Sequence, residues 1–135
     1  MVQINISYEG DLHCSLVHVP SGATVETDAP VDNHGRGASF SPTDMVAAAL
    51  GSCMATLMGI KARDKDIDIT GTTISVLKEM TNVPVRRIGR LIVDILLPRD
   101  YSDAEMTILR NAALTCPVMK SINPEIIVET TFRHS

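Results

Sequence analysis

Two cysteines in unlike settings are the residues of this chain best suited to chemistry. Cys53 lies inside an uncharged stretch, and Cys116 stands directly ahead of a proline in Thr115-Cys116-Pro117-Val118-Met119-Lys120. A thiol acts as nucleophile in its thiolate form, and a redox site built on thiols needs one sulfur to be oxidised and a second to trap the product. Far apart in sequence, these two can form such a pair only if folding joins them. The third cysteine, Cys14, alternates with Leu12 and Leu16 and reads as an inert core thiol. The cysteines form no C-x-x-C pair or zinc-finger pattern, and His13, His18, His34 and His134 show no ligand spacing. No metal centre and no cofactor is expected.

The elements that must position the two sulfurs follow from periodicity. Val2, Ile4, Ile6 and Tyr8 alternate with polar residues, and after Glu9-Gly10-Asp11 the pattern repeats in Leu12, Cys14 and Leu16, which predicts a half-buried β-hairpin. Ala23, Val25 and Thr27 predict a third strand, ended by Asp28-Ala29-Pro30. From Pro30 to Ser41 there is no period, as expected of a functional loop able to cover a site. Ser41, Pro42 and Asp44 then give an N-cap, a proline at the first helical position and a capping box, opening a helix over about 42 to 63. Between Met45 and Ile60 that helix carries no charge, and Gly51 and Gly59 allow close backbone contact, so it is expected to be buried nearly all round. The uncharged run is shorter than the roughly 20 residues that span a bilayer, and Lys61, Arg63, Asp64, Lys65 and Asp66 follow at once.

Strands are predicted at Thr70 to Glu79 and Val85 to Leu97, the latter with Gly89, Leu91, Val93, Ile95 and Leu97 on its core face. Ser102-Asp103-Ala104-Glu105 opens a second helix by another capping box. Proline disfavours helical geometry at the residue before it, so Cys116 should end that helix and cap a third over Pro117 to about Ile122. Glu125 to Phe132 closes the chain as a strand. The order predicts an α+β fold: a mainly antiparallel sheet with helices on one face, a long buried central helix and two further helices, in a single domain over 1–135. A sheet face cannot surround a helix that is apolar on all sides, so a second copy is expected as its outer cover.

With 135 residues, a formal net charge of −4 and no block of like charges, nucleic acid and anionic membrane surfaces are not expected as partners. The N-terminus lacks the basic and apolar regions of an export signal, which predicts a cytoplasmic protein.

The run Phe40-Ser41-Pro42-Thr43-Asp44-Met45-Val46-Ala47-Ala48-Ala49-Leu50-Gly51-Ser52-Cys53, followed late in the chain by Cys116-Pro117-Val118, resembles the OsmC/Ohr family of hydroperoxide-reducing proteins, in its OsmC-like branch. The resemblance implies an intertwined homodimer with two active sites at the subunit interface. It implies Cys53 as peroxidatic nucleophile, Cys116 as resolving partner, organic hydroperoxides as substrates and a dithiol such as a protein-bound lipoyl group as reductant. In the Ohr branch an arginine of the first hairpin, held by a glutamate near the start of the long helix, activates the nucleophile. Here the hairpin turn Tyr8-Glu9-Gly10-Asp11-Leu12 has no arginine, and the carboxylate lies at Asp44, one residue after the matching Thr43.

A cation is still required, because a mid-helix cysteine gains nothing from the dipole of its own helix. Arg36, between Gly35 and Gly37, is the candidate, with Asp44 as orienting carboxylate or plain cap; Arg86 and Arg87 are weaker alternatives. Cys116 at a helix cap faces free amides that favour its thiolate. Phe40, Met45, Met54 and Met119 are candidates for a soft apolar pocket holding an alkyl tail, although methionine at helical spacing is more often core. A non-catalytic dimeric binding protein and a sulfur-handling or metal-linked thiol protein are the competing readings.

Overall fold

The computed structural model describes residues 1–135. It divides into two compact units, Met1–Val46 and Ala47–Ser135. The first is a three-stranded antiparallel sheet in the order β1 (Ile4–Tyr8), β2 (His13–His18) and β3 (Thr24–Asp28), followed by a short 3-10 turn at Val31–Asn33 and the start of helix α1 (Pro42–Asp64). Three successive residues, Gly10, Asp11 and Leu12, have positive φ and turn β1 back onto β2. This conformation puts Leu12 outside, 45% exposed, where alternation placed it in the core. β1 is exposed along its whole length, so Ile4, Ile6 and Tyr8 have no cover within the chain.

The second unit carries the rest of α1, then β4 (Thr73–Thr81), β5 (Arg87–Leu97), α2 (Asp103–Leu114), α3 (Pro117–Ser121) and β6 (Ile127–His134). Its sheet runs β4-β5-β6. The fold class is α+β as expected, but the strands form two sheets, and β6 lies parallel to β5. The reason is connectivity: two helices intervene between β5 and β6, and such a crossover returns the chain in its original direction. β4 begins later than predicted because Gly71, at φ 97°, and the Thr72 N–H to Ile69 C=O bond hold residues 69–72 in a turn.

Leu91, Val93, Ile95 and Leu97 are fully buried on the predicted face of β5. That alternation breaks at its start. Arg90 pairs with Glu79 and Ile88 with Met80, so Gly89 is the extra residue of a bulge and Ile88 turns inward instead. On the opposite face Arg90 bonds Glu79 at 2.7 Å and Glu129 at 3.1 Å, a charged ladder across all three strands.

α1 buries one stripe, Ala47, Leu50, Gly51, Met54, Met58 and Ala62, at the three-to-four-residue spacing of one helix face. Gly51 is required there: a Cβ would lie 3.0 Å from Val76 Cγ2 and 3.4 Å from Ile74 Cγ2. The opposite stripe, Ala49, Ser52, Thr56 and Ile60, is exposed. The helix is therefore not buried all round within one chain, and Gly59 meets no neighbour. By length and composition alone α1 could cross a membrane, but its inner stripe is committed to the core.

Candidate active site

Cys53 stands in the fourth turn of α1, between the buried and exposed stripes, and is half-buried. Cys116 has no exposed surface. It occupies the break between α2 and α3: Pro117 cannot continue a helix from Cys116, so α2 ends at Leu114 and Cys116 takes the extended conformation of an N-cap. Its sulfur accepts a hydrogen bond from the Met119 amide at 3.3 Å. Folding brings the two cysteines close enough for their thiols to act on one another.

The electrostatics of Cys116 differ from expectation. Burial raises its pKa above the ordinary thiol value, the Met119 and Val118 amides pull it down, and the Cys53 sulfur raises it again. Burial wins over the cap amides, so Cys116 is held as a neutral thiol rather than a thiolate. A neutral S–H beside Cys53 is a hydrogen-bond donor to that sulfur.

Arg36 lies in the first unit, where its guanidinium is 3.7 Å from Asp28 Oδ1 and 63% exposed. It is an exposed charge paired with Asp28. Asp44 caps: Oδ2 accepts from the Ser41 amide at 2.9 Å and its own amide donates to Ser41 Oγ at 3.1 Å, the reciprocal pair of a capping box. Arg87 donates to the Ile88 carbonyl, and Arg86 is exposed. Among the apolar candidates, Met54 is fully buried and packs the core of the second unit, so it is no pocket wall. Met119 follows the Cys116 cap and is half-buried. Phe40, half exposed, bridges Thr27, and Met45 is half-buried, both in the first unit. Cys14, read as core, instead lines a cavity of about 260 Å³ with Tyr8, Leu12, Thr27, Asp28 and Pro42.

Sequence reasoning missed one polar constellation. His13 Nδ1 bonds buried Asp28 at 2.6 Å, and its Nε2 faces Glu26 at 3.3 Å and Glu9 at 3.5 Å. The only signal in the sequence was the pairing of β2 with β3, which sets His13 opposite Asp28.

The OsmC-like protein family model matches residues 34–131, which include both cysteines. The chain belongs to the OsmC-like protein family. Among solved structures, that of a Psychrobacter arcticus protein, described as an osmotic stress induced and detoxification response protein, superposes with a TM-score of 0.94 at 46% identity, covering 98% of this chain and 96% of that one. Two more distant structures share the fold. An organic hydroperoxide resistance protein of Elizabethkingia anophelis gives a TM-score of 0.79 at 14% identity, over 100% of this chain and 96% of its own. The Legionella pneumophila organic hydroperoxide resistance protein OsmC gives 0.79 at 11%, over 98% and 96%. No curated protein sequence matches this chain.

Proposed function

We propose that this OsmC-like protein reduces organic hydroperoxides through Cys53 and Cys116 and serves in oxidative-stress defence. The observation that supports the reading is the closeness of a half-buried sulfur to a fully buried one held as a neutral thiol. The Cys53 thiolate attacks the distal peroxide oxygen, the O–O bond breaks, and the alkoxide takes a proton to leave as alcohol. Cys53 is then a sulfenic acid, oxidised by two electrons. The Cys116 sulfur attacks it, water leaves, and a disulfide forms. An external dithiol, such as a lipoyl group, returns two electrons and two protons and is itself oxidised to a disulfide. The Cys116 S–H supports the first step by donating to the Cys53 thiolate, and its protection from solvent keeps it reduced until the second.

Family membership and the names of the hydroperoxide resistance relatives support this substrate class. The exposed stripe of α1 and the uncovered face of β1 support a homodimer whose second copy closes the solvent side of Cys53. Arg36 is the cation that the sequence offers for the thiolate, and Asp44 caps the helix that carries Cys53. A cytoplasmic setting fits free thiols.

The test is thiol counting on reduced protein given cumene or t-butyl hydroperoxide. The expected loss is two thiols per chain, abolished in Cys53→Ser. Unchanged thiols in the unaltered chain would overturn the reading and leave a binding protein on the same scaffold. An unchanged oxidation rate in Arg36→Ala would remove Arg36 from the site.

A further inference from the structure

Glu9, His13 and Glu26 converge outside the thiol site, at the end of the first sheet. Each offers one atom, and the three atoms lie within 4.8 Å of one another. The Glu9 amide donates to the His13 carbonyl at 2.9 Å, closing the β1–β2 turn and setting the two side chains together. Glu26 reaches the same point from β3, where it is two residues from Asp28, the register partner of His13.

Three further observations point to a cation. First, His13 Nδ1 is bound to Asp28 Oδ1 at 2.6 Å, and the Asp28 side chain is only 1% exposed. A carboxylate on one imidazole nitrogen fixes the ring and presents the other nitrogen as a donor atom, the arrangement that supports histidines at metal centres. Second, the distances fit. Ligand atoms about 2.0–2.15 Å from a tetrahedral ion lie about 3.3–3.5 Å apart, and His13 Nε2 is 3.3 Å from Glu26 Oε1 and 3.5 Å from Glu9 Oε1. Third, the charge does not balance. Glu9, Glu26 and Asp28 bring three negative charges to one imidazole, with the Arg36 guanidinium 3.7 Å from Asp28 as the nearby cation. Asp28 Oδ2 is buried with no hydrogen-bond partner.

We propose that Glu9, His13 and Glu26 are a three-ligand site for a divalent transition-metal ion of the zinc type, with Asp28 as the buried carboxylate that orients His13. Three protein ligands leave a fourth position open to water or an anion. None of the three ligands takes part in the proposed thiol chemistry, although Asp28 also pairs with Arg36.

Zinc ion is titrated calorimetrically into the full, metal-free chain carrying Cys53→Ser and Cys116→Ser, which removes competing thiolates, at pH 8 to limit competition by a proton at Nε2. One ion per chain should bind, and Glu9→Gln with Glu26→Gln should abolish it; both residues are exposed, so the fold survives. Asp28→Asn keeps every ligand and should weaken binding by about 10–100-fold. In nuclear magnetic resonance, cobalt ion should shift the ring protons of His13 and leave those of His18 and His134 in place. The proposal is overturned by the absence of saturable binding, or by binding that the double glutamine variant leaves unchanged. Either result makes a protonated His13 the counter-charge of the carboxylates.

Discussion

Cys116 is a buried sulfur whose proton is held by its surroundings, and this has a consequence for pH. Its pKa in the folded chain is raised from an ordinary 9.0, chiefly by burial. Stability contributed by the protonated thiol is therefore complete below the unfolded value and is lost as pH climbs through the folded one. Urea midpoints should fall above about pH 9, and Cys116→Ala should flatten that alkaline limb. Cys53, half-buried, should be alkylated by iodoacetamide well before Cys116 at pH 8, as mass spectrometry of the two peptides would show. Under the proposed chemistry Cys116→Ser should accumulate a Cys53 sulfenic acid that dimedone traps, whereas the unaltered protein yields none. Both cysteines were legible as candidates from their settings. The balance at Cys116 was not, because a cap position is written in the Cys-Pro pair while burial depends on residues distant in sequence.

At the level of elements, the caps are the most secure part of the folding code. Ser102 Oγ accepts from the Glu105 amide at 3.1 Å and Glu105 returns a bond to the Ser102 amide at 3.0 Å. Ser102→Ala should cost about 1 kcal/mol in denaturant unfolding. Gly51 of α1 packs closely on Val76 and Ile74 of β4, and Gly51→Leu should overpack that contact and cost about 1–3 kcal/mol by the same measurement. Helix starts, the Cys-Pro break and the core face of β5 were legible because each is a local pattern of a few residues. The bulge at Gly89 and the parallel pairing of β6 were not, since both are decided by a partner strand. His13 shows the same limit: its neighbours Asp28 and Glu26 come from β3, and no linear spacing announces them.

For the whole molecule, the single chain leaves apolar surface uncovered on α1 and β1, the surface the proposed dimer would use. Ile60 on α1 is 54% exposed, and Ile4, Ile6 and Tyr8 on β1 are each more than half exposed. Burying such surface is worth about 25 cal/mol per Å². Sedimentation at low concentration should therefore give a dimer, and Ile60→Glu should shift it towards monomer with folded far-ultraviolet dichroism retained. The α+β class was legible from element order. The division into Met1–Val46 and Ala47–Ser135 was not, because no linker rich in glycine or proline marks it and α1 runs through it.

The amide of Met119 rests on the sulfur of Cys116 at the head of a helix only five residues long. Were that sulfur drawn into a covalent bond with Cys53, the hydrogen would lose its partner's orientation while the sheet stayed as it was. In isotope-labelled protein a single backbone resonance then becomes a built-in gauge of electron supply, readable in real time without added dye.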